Sequence, residues 1–213
     1  MMKDLHDIRK DYMFAHLTEA DLKASPFEQF ELWLEEAMSA GAHEPTAMAL
    51  STVDSKGIPH SRMVLLKEIH DGGFCFFTNY ESNKGQQIAQ NPMVALLFFW
   101  PEVERQIRIV GEASKVSPLL SDKYFLSRPP ESRIGAWASP QSRVIDAGWI
   151  DKELERLKLT PDEYQNLRPV FWGGYVVKPI EFEFWQGRPS RLHDRLRYTL
   201  LKDNHWKIER LAP

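Results

Sequence analysis

Four groups of residues in this chain have types and spacings that suit a charged small molecule. In Arg62-Met63-Val64-Leu65-Leu66-Lys67 two cations bracket four apolar residues. Alternation along one strand sends the cations to opposite faces, so one can hold a phosphate while the apolar stretch lies against a flat ring. Phe77-Thr78-Asn79 and Glu81-Ser82-Asn83-Lys84 place hydroxyls, an amide and a cation where a strand gives way to a helix. Backbone N–H groups at such a start favour an anion. Tyr124, Arg128 and Ser132 recur at intervals of four, supplying a phenol, a guanidinium and a hydroxyl, the donors a phosphate dianion takes. Arg191, His193 and Arg195 alternate in R-L-H-D-R; in an extended chain all three project from one side, and their mutual repulsion calls for an anion or for Asp194. Trp185 could wall an aromatic ligand. Each group also has an ordinary structural reading: solvated strand ends, a Ser82 N-cap beside an exposed Lys84, a chance spacing, a core tryptophan.

Other chemistries lack their signatures. No Walker loop, G-x-G-x-x-G, G-x-S-x-G or H-E-x-x-H occurs. The seven histidines have no metal-ligand spacing and Cys75 has no second cysteine to join, so no metal site is expected. Twenty-seven basic against thirty acidic side chains give a net charge of -3, without the positive field that nucleic-acid binding relies on. The lone cysteine suits a reducing, cytoplasmic setting. The N-terminal MMKDLHDIRKDYMF has no apolar core of a signal peptide. The longest apolar run, Met93 to Trp100, is eight residues, well short of the roughly 20 of a membrane span.

The elements that must position these groups follow from the patterning. Ser25-Pro26-Phe27-Glu28 reads as a capping box with proline at the first helical position, and the apolar spacing behind it predicts a helix over 26–40. Ala47–Val53, Ser61–Ile69, Phe74–Thr78, Met93–Trp100 and Gln106–Val116 read as strands, as do Trp172–Val177, Ile180–Gln186, Arg195–Leu201 and Trp206–Arg210. Short helices are expected at Ser82–Gln90, after Ser117-Pro118 up to Arg128-Pro129-Pro130, through Trp137, and over Glu153–Leu159 and Pro161–Leu167. Eight or nine short strands with a few helices predict one mainly β domain with flanking helices, a closed or nearly closed antiparallel barrel.

Taken in order, RMVLLK, FFTNYESNKG, ERQ at 104–106, YFLSRPPESRIGAWAS, SPQS, FWGGY, EFWQG, RLHDR and ERLAP resemble the pyridoxamine 5′-phosphate oxidase family from about Arg9 to Pro213. The resemblance implies an FMN-binding split β-barrel over 25–213, preceded by an N-terminal segment, 1–24, that is partly mobile and can close over the site. It implies a homodimer with FMN at the subunit interface. FMN contacts then fall on Arg62, Met63, Val64, Leu65, Leu66, Lys67, Phe77, Thr78, Lys84, Gln106, Gln141, Ser142, Trp185 and Arg195. Substrate contacts fall on Lys67, Tyr124, Arg128 and Ser132 for the phosphate, on Arg191 and His193, the implied catalytic pair, near the pyridine ring, and on Arg9 and Tyr12.

The implied reaction oxidises the 4′ carbon of pyridoxine or pyridoxamine 5′-phosphate to the aldehyde, with O2 reduced to H2O2. It needs no side-chain nucleophile, in keeping with the missing triad and metal motifs. Asn83 stands where the family commonly has arginine, and Phe77 where some relatives have tyrosine. Two alternatives stay open: a flavin oxidoreductase of the same fold with another substrate, and a non-catalytic binder of FMN or pyridoxal phosphate.

Overall fold

The computed structural model describes Tyr12 and residues 16–159 and 161–213. Among the described residues nine strands are present: β1 Ala47–Val53, β2 Pro59–Leu65, β3 Glu68–His70, β4 Gly73–Asn79, β5 Met93–Trp100, β6 Arg105–Lys115, β7 Trp172–Gln186, β8 Asp194–Leu200 and β9 Trp206–Leu211. Six α-helices accompany them: α1 Pro26–Ser39, α2 Asn83–Gln90, α3 Pro118–Ser127, α4 Pro130–Ala138, α5 Trp149–Lys158 and α6 Pro161–Asn166. Hydrogen-bonded neighbours run β2-β1-β5-β6-β7-β4-β3, with β8 also on β7 and β9 on β8. Among the described residues no helix is long and apolar enough to cross a membrane.

The chain divides into two compact units, and β5, β6 and β7 each contribute to both. One unit comprises the described part of 1–48 with 96–110 and 179–213. Its core is aromatic. Ser25 caps α1 by accepting from the Phe27 N–H at 3.3 Å, so the expected cap forms, with Phe27 rather than Glu28 as its partner. The helix then buries Phe30, Trp33 and Ala37. Phe30 meets Phe98 at 5.0 Å between ring centres and Trp33 meets Phe184 at 5.2 Å, both edge to face. Truncating fully buried Phe30 to Ala would cost about 3–5 kcal/mol. The β7–β8 ladder pairs Trp185 with Arg195 and Glu183 with Arg197, and β8–β9 pairs Arg195 with Leu211.

The other unit comprises 49–95 and 111–178. Here β4 pairs with β7 from Phe74–Val177 to Asn79–Trp172. Gly173 and Gly174 make room for rings lying on that ladder: a Cβ on Gly173 would stand 2.2 Å from the Tyr80 hydroxyl, and one on Gly174 would stand 2.7 Å from the Phe77 ring. Cys75 is fully buried with Val116 and Val176, and burial pushes its thiol pKa up to about 12. A smaller cluster of Ile134, Ala138 and Leu157 joins α4 and α5.

Three expectations change. Ser61–Ile69 is two strands, because Leu66 turns into the core and the Lys67 N–H leaves for the Cys75 carbonyl at 2.9 Å. The two strands expected on either side of Pro179 are one, β7. Its pairing with β4 ends at Val177 and that with β8 begins at Glu181, so the missing proline N–H falls between the two ladders. The R-L-H-D-R stretch is not extended: Pro189–Arg191 is a 3-10 turn, Ser190 and Arg191 have φ of 56° and 60°, and β8 starts only at Asp194.

Candidate functional site

A cavity of about 530 Å³ opens in the unit of 49–95 and 111–178. Four cations line it, Arg62, Lys67, Lys84 and Arg128, and no lining residue is acidic. Met63, Val64, Leu65, Phe77, Thr78, Tyr124, Ser132 and Gln141 also line it, together with Asn79, Gly135, Ala136, Ser139 and Trp172.

At one end, alternation along β2 turns Arg62 away from its exposed neighbours Met63 and Leu65. Its Nη1 donates to the Leu50 carbonyl at 3.1 Å and to the Thr52 hydroxyl at 2.7 Å, and its Nη2 donates to Gln87 Oε1 at 3.3 Å. Lys84 sits in the first turn of α2, where Ser82 caps by accepting from the Gly85 N–H at 3.3 Å. Its Nζ donates to Gln141 Oε1 at 2.9 Å, and the Thr78 hydroxyl donates to the same oxygen at 3.2 Å. Burial, then repulsion from Arg62, pushes the Lys84 pKa down to about 8; burial also lowers that of Arg62. Two desolvated cations that meet only neutral groups are a strong attraction for an anion.

At the other end the aromatic rings stack. Tyr124 lies 3.9 Å from Phe77 between centres and within 5° of parallel to Trp172. The Arg128 guanidinium lies over Trp172, 4.7 Å from the ring centre. Its Nη1 is buried and has no hydrogen-bond partner, a cost a folded chain carries where a ligand is to supply the acceptor. Burial lowers the Arg128 pKa, disfavouring its charge until an anion is bound, and raises that of Tyr124, which keeps the phenol protonated as a donor. Tyr124 is on α3 and Arg128 is its extended C-cap, and both line the cavity.

The remaining expected residues lie elsewhere. Leu66 is buried and does not line the cavity. Ser142, at φ 72°, accepts from the Asn83 N–H at 3.3 Å at the start of α2. Gln106, Trp185, Arg191, His193 and Arg195 belong to the other unit. Arg9 lies outside the described residues.

In that unit Trp185 packs on His193 at 4.6 Å between ring centres, and Tyr12 meets both, at 5.6 and 5.7 Å. His193 Nδ1 accepts from the Arg188 N–H at 3.1 Å, which leaves the ring proton to Nε2. Burial, then the nearby Arg191 charge, lowers the His193 pKa, which favours the neutral ring. Arg195 donates to Glu183 at 2.8 Å and to the Ala212 carbonyl at 2.8 Å, while Arg108 holds the other Glu183 oxygen at 3.0 Å. Asp194 is held by Arg210 at 2.9 Å, by the Leu17 N–H at 3.1 Å and by Arg188 at 3.3 Å. Arg191 has no hydrogen-bond or ion-pair partner among the described residues.

Sequence reasoning passed over Trp172, Gln87 and Glu183 as site-building residues, and named Asp194 only as a possible counter-charge to Arg191, His193 and Arg195. The adjacent Gly173-Gly174 marks a close approach to Phe77 that flags Trp172; nothing in residue type singles out Gln87.

Comparison with known proteins gives these chemistries a context. The chain matches the Pyridoxamine 5′-phosphate oxidase family over residues 34–167 and the Pyridoxine 5′-phosphate oxidase C-terminal dimerisation region over 172–213. It is 52% identical over 210 residues to the pyridoxine/pyridoxamine 5′-phosphate oxidase of Neisseria gonorrhoeae, covering 99% of this chain and 100% of that protein. It is 49% identical over 214 residues to that of Nostoc punctiforme, covering 100% of both. Among solved structures it is similar to PhzG from Burkholderia lata in complex with tetrahydrophenazine-1-carboxylic acid: 31% identity, TM-score 0.85, 94% of this chain and 99% of that one. A pyridoxamine 5′-phosphate oxidase-related, FMN binding protein from Nostoc punctiforme, 16% identical with a TM-score of 0.73 over 89% of this chain and 98% of that one, shares the fold. The mainly β architecture with flanking helices is therefore the split barrel, and the chain belongs to the pyridoxamine 5′-phosphate oxidase family.

Proposed function

We propose that this chain is an FMN-dependent oxidase that converts pyridoxine 5′-phosphate and pyridoxamine 5′-phosphate to pyridoxal 5′-phosphate, reducing O2 to H2O2. One observation carries the reading: the cavity holds four cations and no acid, and one of those cations, Arg128, keeps a buried Nη1 without a partner. Such a lining fits two phosphorylated aromatic molecules, with hydrogen-bond donors at both ends and rings between them.

The residues fit FMN. Arg62, Lys84 and Thr78 supply donors for its phosphate, Gln141 and Ser142 stand at the same helix start, and Met63, Val64 and Leu65 offer an apolar stretch for a ring. Asn83 leaves the cationic work at that end to Lys84 and Arg62. Trp185, Gln106 and Arg195 are further FMN contacts in this reading, and FMN sits at the interface of a homodimer. When bound, FMN supplies the two-electron acceptor that no side chain can provide. Lys67, Tyr124, Arg128 and Ser132 hold the substrate phosphate and so fix the ring's orientation. Arg191, unpaired and positively charged, and His193, neutral with its proton on Nε2, position the pyridine ring and stabilise charge as the 4′ carbon gives up hydride. Arg9 and Tyr12 are further substrate contacts in this reading. The protein works in the cytoplasm.

The test is direct. Purified protein should show a visible flavin spectrum, and on aerobic addition of pyridoxine 5′-phosphate should consume oxygen and form the aldehyde. Protein that takes up no flavin, or consumes no oxygen, refutes the reading. The PhzG likeness favours a second one, oxidation of an aromatic acid without phosphate. That reading predicts turnover indifferent to Arg128→Ala; the phosphorylated substrate predicts collapse.

A further inference from the structure

We infer that Gln87 is a positioning residue: it holds Arg62 in the cavity through a neutral contact and so leaves the whole guanidinium charge to the bound anion. Gln87 is buried on the inner face of α2, the helix that also carries Lys84. Its Oε1 accepts from the Thr52 hydroxyl at 2.6 Å and from Arg62 Nη2 at 3.3 Å, while Arg62 Nη1 donates back to Thr52 at 2.7 Å. The three side chains close a ring of hydrogen bonds that fixes the guanidinium against rotation. The Leu50 carbonyl completes the set.

Every acceptor in this set is uncharged: a peptide oxygen, a hydroxyl and an amide. Among the described residues Arg105, Arg108, Arg195 and Arg210 each reach at least one carboxylate, Arg105 doing so through Nη1 while its Nε takes the Gln186 amide oxygen. A glutamate at position 87 would make the same two bonds with the same shape, and would also lie next to the positive charge. That choice would neutralise Arg62 and ease its repulsion of Lys84. The amide therefore trades stability of the empty cavity for attraction toward an anion.

The inference rests on the proposed function, and the test separates the two. Apoprotein of wild type, Gln87→Glu and Gln87→Leu is titrated with FMN and followed by quenching of flavin fluorescence, and each is melted without FMN, with and without inorganic phosphate. Gln87→Glu should melt at or above the wild-type temperature yet bind FMN ten to a hundred times more weakly, and phosphate should stabilise it less. Gln87→Leu, which frees the guanidinium without cancelling it, should melt lower and lose less FMN affinity than the glutamate variant. Equal FMN binding by wild type and Gln87→Glu overturns the inference. So does a glutamate variant that melts lower than wild type, since the residue would then serve folding. If wild-type protein itself takes up no FMN, the functional reading fails and the inference falls with it.

Discussion

The cations of the cavity and those around Glu183 and Asp194 are treated in opposite ways. Arg62, Lys84 and Arg128 are desolvated and meet only neutral atoms or none, and their pKa values fall. Arg195 meets buried Glu183, Arg210 meets Glu19 at the surface and buried Asp194, and theirs rise. The same side chain thus serves as an unfilled donor in one place and as a brace in the other. Which it is depends on whether the chain supplies the negative partner itself. Arg191 differs from the other arginines of its unit in having no carboxylate partner among the described residues.

This contrast can be broken by mutation. The largest effect is expected from Arg128→Ala. Losing about two charge-assisted hydrogen bonds to a phosphate should lower kcat/KM about 10²–10³-fold, with a melting temperature within about 2 °C of wild type, because the fold gives that Nη1 no bond to lose. Next, Arg191→Leu should depress kcat about a hundredfold, in line with loss of one charge-stabilising donor, while FMN affinity, read by fluorescence titration, changes less than about threefold. Equal loss of both would assign Arg191 to cofactor binding. Both side chains meet the same left-handed backbone there, so the swap adds little strain.

A brace should respond in reverse. Asp194→Asn leaves Arg188 without its carboxylate and Arg210 with Glu19 alone. Allowing for their partial exposure, it should destabilise by about 2 kcal/mol, lowering the melting temperature about 4–8 °C. The Asp194 pKa is lowered in the fold by the Leu17 N–H and by Arg210 and Arg188, against the pull of burial. Its contribution is therefore present above the ordinary aspartate pKa and lost as pH falls through the folded value.

The smallest effect is a pH dependence in which stability and anion affinity move in opposite directions. With Lys84 lowered from 10.5 to about 8, the unfolded chain binds more protons between those values, so the empty fold gains stability as pH rises through that window. Anion affinity moves the other way. FMN binding should weaken above pH 8 by at most about tenfold per unit, and Lys84→Met should flatten that slope.

Much of this was legible in residue order. Ser25-Pro26 and Ser117-Pro118 announce helices because proline at the first helical position gives up a donor the helix does not use, and Ala47–Val53 and Met93–Trp100 are strands with the expected bounds. The break at Leu66-Lys67 was hidden, since no glycine or proline interrupts that run. Pro179 misled in the other direction, its cost cancelled by a gap between two ladders. At the site, Lys67, Arg128 and Tyr124 declare themselves by type. Gln87 and Glu183 do not: what they do depends on the neighbour that folding brings to them, and spacing along one chain carries no record of that neighbour.

If the proposed reaction releases peroxide at each turnover, the sealed thiol of Cys75 has a practical consequence. Only thiolate reacts readily with peroxide, and a sulfur with no solvent access and a pKa near 12 offers almost none. The enzyme should therefore outlast its own product without sulfenic acid forming, and a maleimide that labels Cys75 would report molecules that have opened.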